Sequence, residues 1–179
     1  MRLAFGDRSV ETARIDSREA LARDGALVLG TDAEHAQEYF SLTVTDLRTS
    51  APPLQVVVCS EGHGLPPQIL LRPGRDEILL GFNSEVCALE VAGGSLLRRA
   101  ELGSLFRDFV EVPPRGLVLA LHELGVTALN DELEQVWSCA QDVVQDWGLE
   151  PEALTLTFMD APPLRLSLVD GSPIHGLSL

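Results

Sequence analysis

Leu117-Val118-Leu119-Ala120-Leu121-His122-Glu123-Leu124-Gly125-Val126-Thr127-Ala128-Leu129 is the stretch that decides the fold. Two short apolar runs flank a tight polar turn, the pattern of a β-hairpin. Ile78-Leu79-Leu80-Gly81-Phe82-Asn83-Ser84-Glu85-Val86-Cys87-Ala88-Leu89 has the same form, and Val86–Leu89 falls on Val126–Leu129 at an offset of 40. At that offset Leu96-Leu97 falls on Val136-Trp137, and Ala100 on Ala140. Arg107-Asp108-Phe109 resembles Gln145-Asp146-Trp147, and Pro113 resembles Pro151. A third, partial copy begins at Leu154-Thr155-Leu156-Thr157-Phe158 and runs through Leu164–Leu168 to the turn Asp170-Gly171. The spacing predicts hairpins pairing 77–82 with 85–91 and 117–122 with 125–130, in repeat units over 77–112, 116–149 and 153–178. No such unit can bury its apolar face alone, so the units must pack on one another. The offset also predicts that Leu97 and Trp137 are equivalent buried anchors.

Upstream the pattern is mixed. Asp16 with Glu19 three residues on has capping-box spacing, with Ile15 and Ala20 placed as a hydrophobic staple and Gly25 at a C′ position. This predicts a short helix over 16–24, then a strand over Ala26–Gly30. Thr31 and Glu34 repeat the capping spacing, predicting a helical turn over 32–37. Phe40, Leu42 and Val44 alternate with Ser41, Thr43 and Thr45, as in a half-buried strand. Pro52-Pro53 interrupts the chain, Leu54–Cys59 reads as a buried strand, and Glu61–Pro67 as a loop. From Gln68 onward short apolar runs alternate with turn residues, as in an antiparallel β-meander.

The expected fold is therefore mainly β, with α+β character over 1–50, one or two short N-terminal helices, and repeated units over 68–179. The 179 residues suit a single domain, and an apolar fraction of 45% suffices for a core without staples. Cys59, Cys87 and Cys139 are odd in number, far apart and without a C-x-x-C pair, which predicts free thiols in a reducing compartment. The opening residues lack an apolar signal-peptide stretch, and no apolar run is long enough to span a bilayer. These features predict a cytoplasmic protein.

The repeat unit resembles a β-propeller blade, particularly of the PQQ-type and related repeats, which carry Gly-x-x-Ala-Leu-Asp, a turn and a tryptophan. Here Gly125-Val126-Thr127-Ala128-Leu129-Asn130 is followed by Asp131–Gln135 and Val136-Trp137. The resemblance covers about 68–179 and is strong in one copy and degenerate in the others, where Leu97 and Ile174 stand near the tryptophan place. It implies blade-like meanders. Propellers commonly close with four to eight blades, and this chain has room for about three, so neither a closed ring nor quinone binding follows.

Composition excludes several chemistries. The chain has no lysine beside its 13 arginines. That rules out a P-loop, a PLP Schiff base and a kinase-type lysine, and reads as the product of a GC-rich bacterial genome. No Gly-x-Gly-x-x-Gly occurs. His122-Glu123 opens like a zincin motif, but Val126 stands where the second histidine belongs. Cys59 and His63 have C-x3-H spacing with no second ligand cluster to complete a zinc site. His35 and His175 are isolated. No cofactor is expected, and no sequence pattern indicates a Ser-His-Asp set.

Charge is the remaining guide. The 27 Asp and Glu give a formal net charge of −14, which repels nucleic acid and anionic membranes and attracts a basic protein. The expectation is a non-enzymatic protein-binding module of bacterial immunity, antitoxin-like or accessory type. Glu123, Asp131, Glu132 and Glu134, on turns of the β scaffold, form the candidate partner-binding site. The alternative is an enzyme or small-ligand binder with a dispersed site, and homo-oligomerisation stays open.

Overall fold

A computed structural model describes residues 2–21, 25–72 and 75–174. It is mostly β, with four small sheets, none closed on itself. Contacts divide the chain into two compact units, Met1–Glu101 and Leu102–Leu179.

The first unit opens on a hairpin absent from the sequence-based expectation, β1 (Arg2–Phe5) and β2 (Arg8–Ile15). Gly6 turns it at φ +57°, a conformation that L side chains resist. Asp16 then caps α1 (Ser17–Leu21), accepting the Glu19 amide on its carboxylate at 2.8 Å. Residues 22–24 of the expected helix lie outside the described residues. Ile15 and Ala20 both join the small cluster around Val57 and Cys59, as the staple requires. β3 (Leu27–Gly30) follows as expected. The helical turn expected over 32–37 is a single turn, in which the Asp32 carbonyl accepts the amides of His35 and Ala36. β4 (Glu38–Asp46) and β5 (Leu54–Ser60) complete a five-stranded sheet of order β1-β2-β4-β5-β3, antiparallel except for the β3–β5 pair. β6 (Gln68–Leu71), β7 (Glu77–Phe82), β8 (Glu85–Glu90) and β9 (Leu96–Glu101) form an up-and-down four-stranded sheet. Its face bearing Ile78, Leu80, Phe82, Cys87 and Leu89 packs against Val44, Val56 and Val58 of the first sheet.

The second unit holds β10 (Phe106–Val112), β11 (Leu117–His122), β12 (Gly125–Leu129) and β13 (Gln135–Ala140), again up-and-down. A three-stranded sheet follows, β14 (Val144–Leu149), β15 (Ala153–Phe158) and β16 (Leu164–Ser167). Leu119, Leu121, Val126, Ala128 and Trp137 on one sheet meet Leu154, Leu156, Phe158 and Leu166 on the other. On its second face the three-stranded sheet turns Thr155 and Thr157 outward, both partly exposed, where the preceding sheet has the buried Leu119 and Leu121.

Both expected hairpins exist, with Gly81 opposite Val86 and Leu121 opposite Val126. The sheets run over 68–101, 106–140 and 144–167, so each begins one strand before the sequence repeat over 77–112, 116–149 or 153–178; residues 175–178 of the last repeat lie outside the described residues. Similarity marks where a pattern recurs. The break in hydrogen bonding instead falls before β10, which pairs forward through a 3-10 turn over Pro113–Arg115.

Leu97 corrects the expectation of a buried anchor: it is 43% exposed, whereas Trp137 is 6% exposed. The loop from Glu90 to Ser95 is one residue longer than that from Asn130 to Glu134. Past the loop the true offset is therefore 39. Ala88 faces Arg98 as Ala128 faces Trp137, and Leu97 and Val136 are the extra residues of equivalent bulges. A one-residue slip moves a strand side chain to the opposite face.

Candidate functional site

The four acidic residues lie at the two ends of β12. Glu123 sits in the β11–β12 turn, while Asp131, Glu132 and Glu134 sit in the β12–β13 loop. β12 separates them by five residues, roughly 17 Å at the usual rise per residue. Glu123 is held by its backbone: its amide donates to Leu105 and its carbonyl accepts from Val144.

The acidic loop is organised by Asn130. Its Oδ1 accepts the amides of Glu132 and Glu134, both at 2.9 Å, and its Nδ2 donates to the Glu134 carboxylate at 2.9 Å. Its own amide and carbonyl bond Glu134 and Leu133 respectively. Leu133 is buried with φ +59°, a left-handed conformation costly for a leucine and sustained only because its surroundings over-determine it. Glu132 and Glu134 are thereby presented to solvent on a fixed loop.

Sequence reading did not find the pairing of Ser104 with His122. The Ser104 hydroxyl lies 2.7 Å from His122 Nδ1, and Thr127 Oγ1 lies 3.4 Å from Nε2. Ser104 Oγ also accepts the Leu124 amide at 3.0 Å. His122 is 2% exposed, and burial lowers its pKa. A hydrolase dyad needs a serine free to attack and a histidine oriented by an acceptor such as a carboxylate. Here a backbone amide engages the serine and a hydroxyl faces the second nitrogen, so the trio clips the segment before β10 to the hairpin turn. Register explains the histidine: it occupies the strand-end place that Phe82 and Phe158 fill in the sheets before and after it in the chain.

A buried ionic network was also missed. The Glu77 carboxylate, largely shielded, takes Arg72 at 3.1 Å, Arg75 at 3.5 Å and Arg98. Arg8 donates to the carbonyls of Glu77 and Arg75 and pairs with Asp76 at 3.1 Å. The charged run Arg72-Pro73-Gly74-Arg75-Asp76-Glu77 was its only trace in the sequence. The network joins β2 to the neighbouring sheet. Nearby, the Arg48 guanidinium holds the Asp46 carboxyl down at about 2.

The repeated Asp108 and Asp146 have one shared role. Each stands at a β-bulge and accepts the next residue's amide, Phe109 or Trp147, at 2.8 Å. Cys59 is buried, whereas His63 is exposed and pairs with Glu61 at 3.0 Å. Among the described residues no three His, Cys, Asp or Glu converge as a metal site. No helix among them is long and apolar enough to cross a membrane. Three crevices in the first unit have volumes of about 140, 220 and 340 Å³. Only the last reaches the ~300 Å³ at which ligand pockets begin, and Gln55 is the one polar side chain among its lining residues.

No protein-family model matches the chain, and no curated protein does. Among solved structures, NirN, a dihydro-heme d1 dehydrogenase in complex with DHE, matches at TM-score 0.55 and 16% identity over 79% of this chain and 34% of its own. The computationally designed Ika4 protein matches at 0.51 and 12% identity over 66% of this chain and 76% of its own. BamB from Moraxella catarrhalis matches at 0.46 and 15% identity over 60% of this chain and 36% of its own. NirN and BamB are β-propeller proteins, and this chain spans about a third of the length of each. The likeness concerns fold alone.

Proposed function

We propose that this chain is a non-enzymatic protein-binding module that takes a basic protein as partner, in an immunity-type or accessory role. The observation that carries this reading is the distribution of charge. The second unit holds twelve Asp and Glu against three Arg, a formal −9 of the total −14. Between Arg115 and Arg165 there are nine carboxylates and no arginine. Such a field steers a cationic partner and weakens as salt screens it. The Asn130 loop, with Asp131, Glu132 and Glu134, is the contact we assign to that partner, with Glu123 at the other end of β12. Three cysteines without a disulfide fit a reducing compartment such as the cytoplasm.

The test is affinity capture at low ionic strength with the wild type and with an Asp131→Arg, Glu132→Arg, Glu134→Arg variant. The wild type is expected to retain a basic protein that the variant associates with more slowly. An acidic partner, or one bound equally by both, overturns the assignment.

A further inference from the structure

We propose that the outer edge of β14 is a strand-docking site for an extended partner segment whose side chains alternate between apolar and cationic. The proposal rests on the partner-binding reading above and adds a surface and a mode of recognition to it.

β14 is an edge strand, and no described strand pairs with its outer side. Its residues Gln145 through Leu149 are all exposed. The matching strand β10 is not so open: there Phe109 is half-buried, and Val110 and Val112 are buried. The Glu150 amide donates to the Ala153 carbonyl at 2.8 Å, which sets the phase of the antiparallel ladder. Alternation then directs the backbone groups of Gly148 and Asp146 toward β15 and those of Leu149 and Trp147 outward.

The same two residues supply the side chains. Trp147 lies opposite Leu156 and Leu149 opposite Leu154, so they share the face that forms the core. Beyond the edge of that core they remain 37% and 42% exposed. Outward main-chain groups with apolar side chains two residues apart are what strand addition uses, the first for affinity and the second for specificity.

Asp146 determines the chemistry of the occupant. Its carboxylate accepts the Trp147 amide, which removes one outward donor and sets a negative charge on the edge. Unselective edge pairing is thereby blunted. An incoming strand finds the Trp147 carbonyl, both Leu149 groups and a carboxylate to neutralise. Arginine or lysine beside an apolar residue meets all of these. Arg107 donates to the Val144 carbonyl and covers the edge at its N-terminal end, so docking is confined to the segment after Val144.

The probe is a short synthetic peptide alternating arginine and valine, titrated at physiological salt and followed by tryptophan emission. A blue shift is expected, absent from Trp147→Phe. A peptide of the same composition with its arginines in one block should bind about tenfold more weakly, because only alternation matches the edge. Leu149→Pro removes an outward amide without touching the β15 ladder, and Asp146→Lys reverses the edge charge. Each should weaken binding about tenfold with the circular dichroism spectrum unchanged. The Asp131, Glu132, Glu134 triple reversal should leave it within about threefold. Binding that survives both edge variants, or is abolished by the triple reversal alone, overturns the docking site and leaves the basic-partner reading standing. No binding by either peptide to any variant, with no basic protein captured, removes both.

Discussion

At the residue scale, His122 shows how one buried polar side chain constrains its neighbours. Phe82 in the preceding sheet lies beside Cys87, whereas His122 lies beside Thr127, the residue equivalent to Cys87. A buried imidazole needs hydrogen-bond partners, and Thr127 and Ser104 provide them. Burial lowers the folded-state pKa below the ordinary 6.5. The unfolded chain therefore takes up the proton first, and the stability that the neutral ring contributes above that value is lost as pH falls through and below it. Urea midpoints are expected to drop on acidification from about pH 7 to about pH 5.5, and to drop less in His122→Phe with Thr127→Cys. Equal slopes would show that His122 is not the titrating group. His122→Phe alone should cost about 1 kcal/mol more than the double variant, from the Thr127 hydroxyl left unsatisfied. Trp137 rests on Gly171, where φ is +69° and a Cβ would stand 2.6 Å from the ring. Trp137→Ala is expected to cost about 3–5 kcal/mol in urea denaturation, and Leu97→Ala less than about 0.5 kcal/mol.

At the scale of elements, the bulges and loops carry the repeat as much as the strands do. Asp108 and Asp146 hold the same bond at the same irregularity, while Leu97 and Val136 protrude from matching bulges on edge strands. The protruding Leu97 and Val136 hinder the β9 and β13 edges from pairing with other chains, whereas the bulge of β14 lies before Asp146 and leaves Trp147–Leu149 in regular register. The Asn130 loop is the element whose loss is easiest to measure. Asn130→Ala deletes the acceptor of two amides and the donor to Glu134. It should lower stability by about 1–2 kcal/mol and broaden the amide resonances of Glu132–Glu134. Unchanged resonances would mean that Leu133 and the strand ends fix the loop without it. The hairpins were legible because apolar runs and turns are local patterns. The phase of the sheets was not, because which strand stops pairing depends on contacts distant in sequence.

At the scale of the whole molecule, charge and thiols give the accessible tests. Cys59 and Cys87 are buried and Cys139 is partly exposed, and burial raises all three thiols, Cys87 to about 11. Reactivity follows thiolate fraction and access. Iodoacetamide should therefore label Cys139 first in the native protein and all three after unfolding without reductant, as read by mass spectrometry. A residue that resists labelling when unfolded would reveal a disulfide. The second unit's excess of carboxylates should make partner association faster at low salt than at high salt. A salt-independent rate would place recognition outside the acidic field.

The sequence by itself determined the β class, the hairpins, the capped helix, the repeat and the acidity, because each depends on neighbours within a few residues or on composition. The tertiary structure alone decided the rest. One loop residue turned Leu97 outward and set Arg98 in the place of Trp137, a consequence of the two-residue strand period. Five residues of β12 parted Glu123 from Asp131, Glu132 and Glu134, since residues close in sequence are carried apart by an extended strand. Ser104 met His122 through the pairing of β10 with β11, and Arg8 met Glu77 through the meeting of two sheets, each bringing distant segments within hydrogen-bond reach. The open edge of β14 is likewise a property of which strands found partners, and no local pattern encodes that.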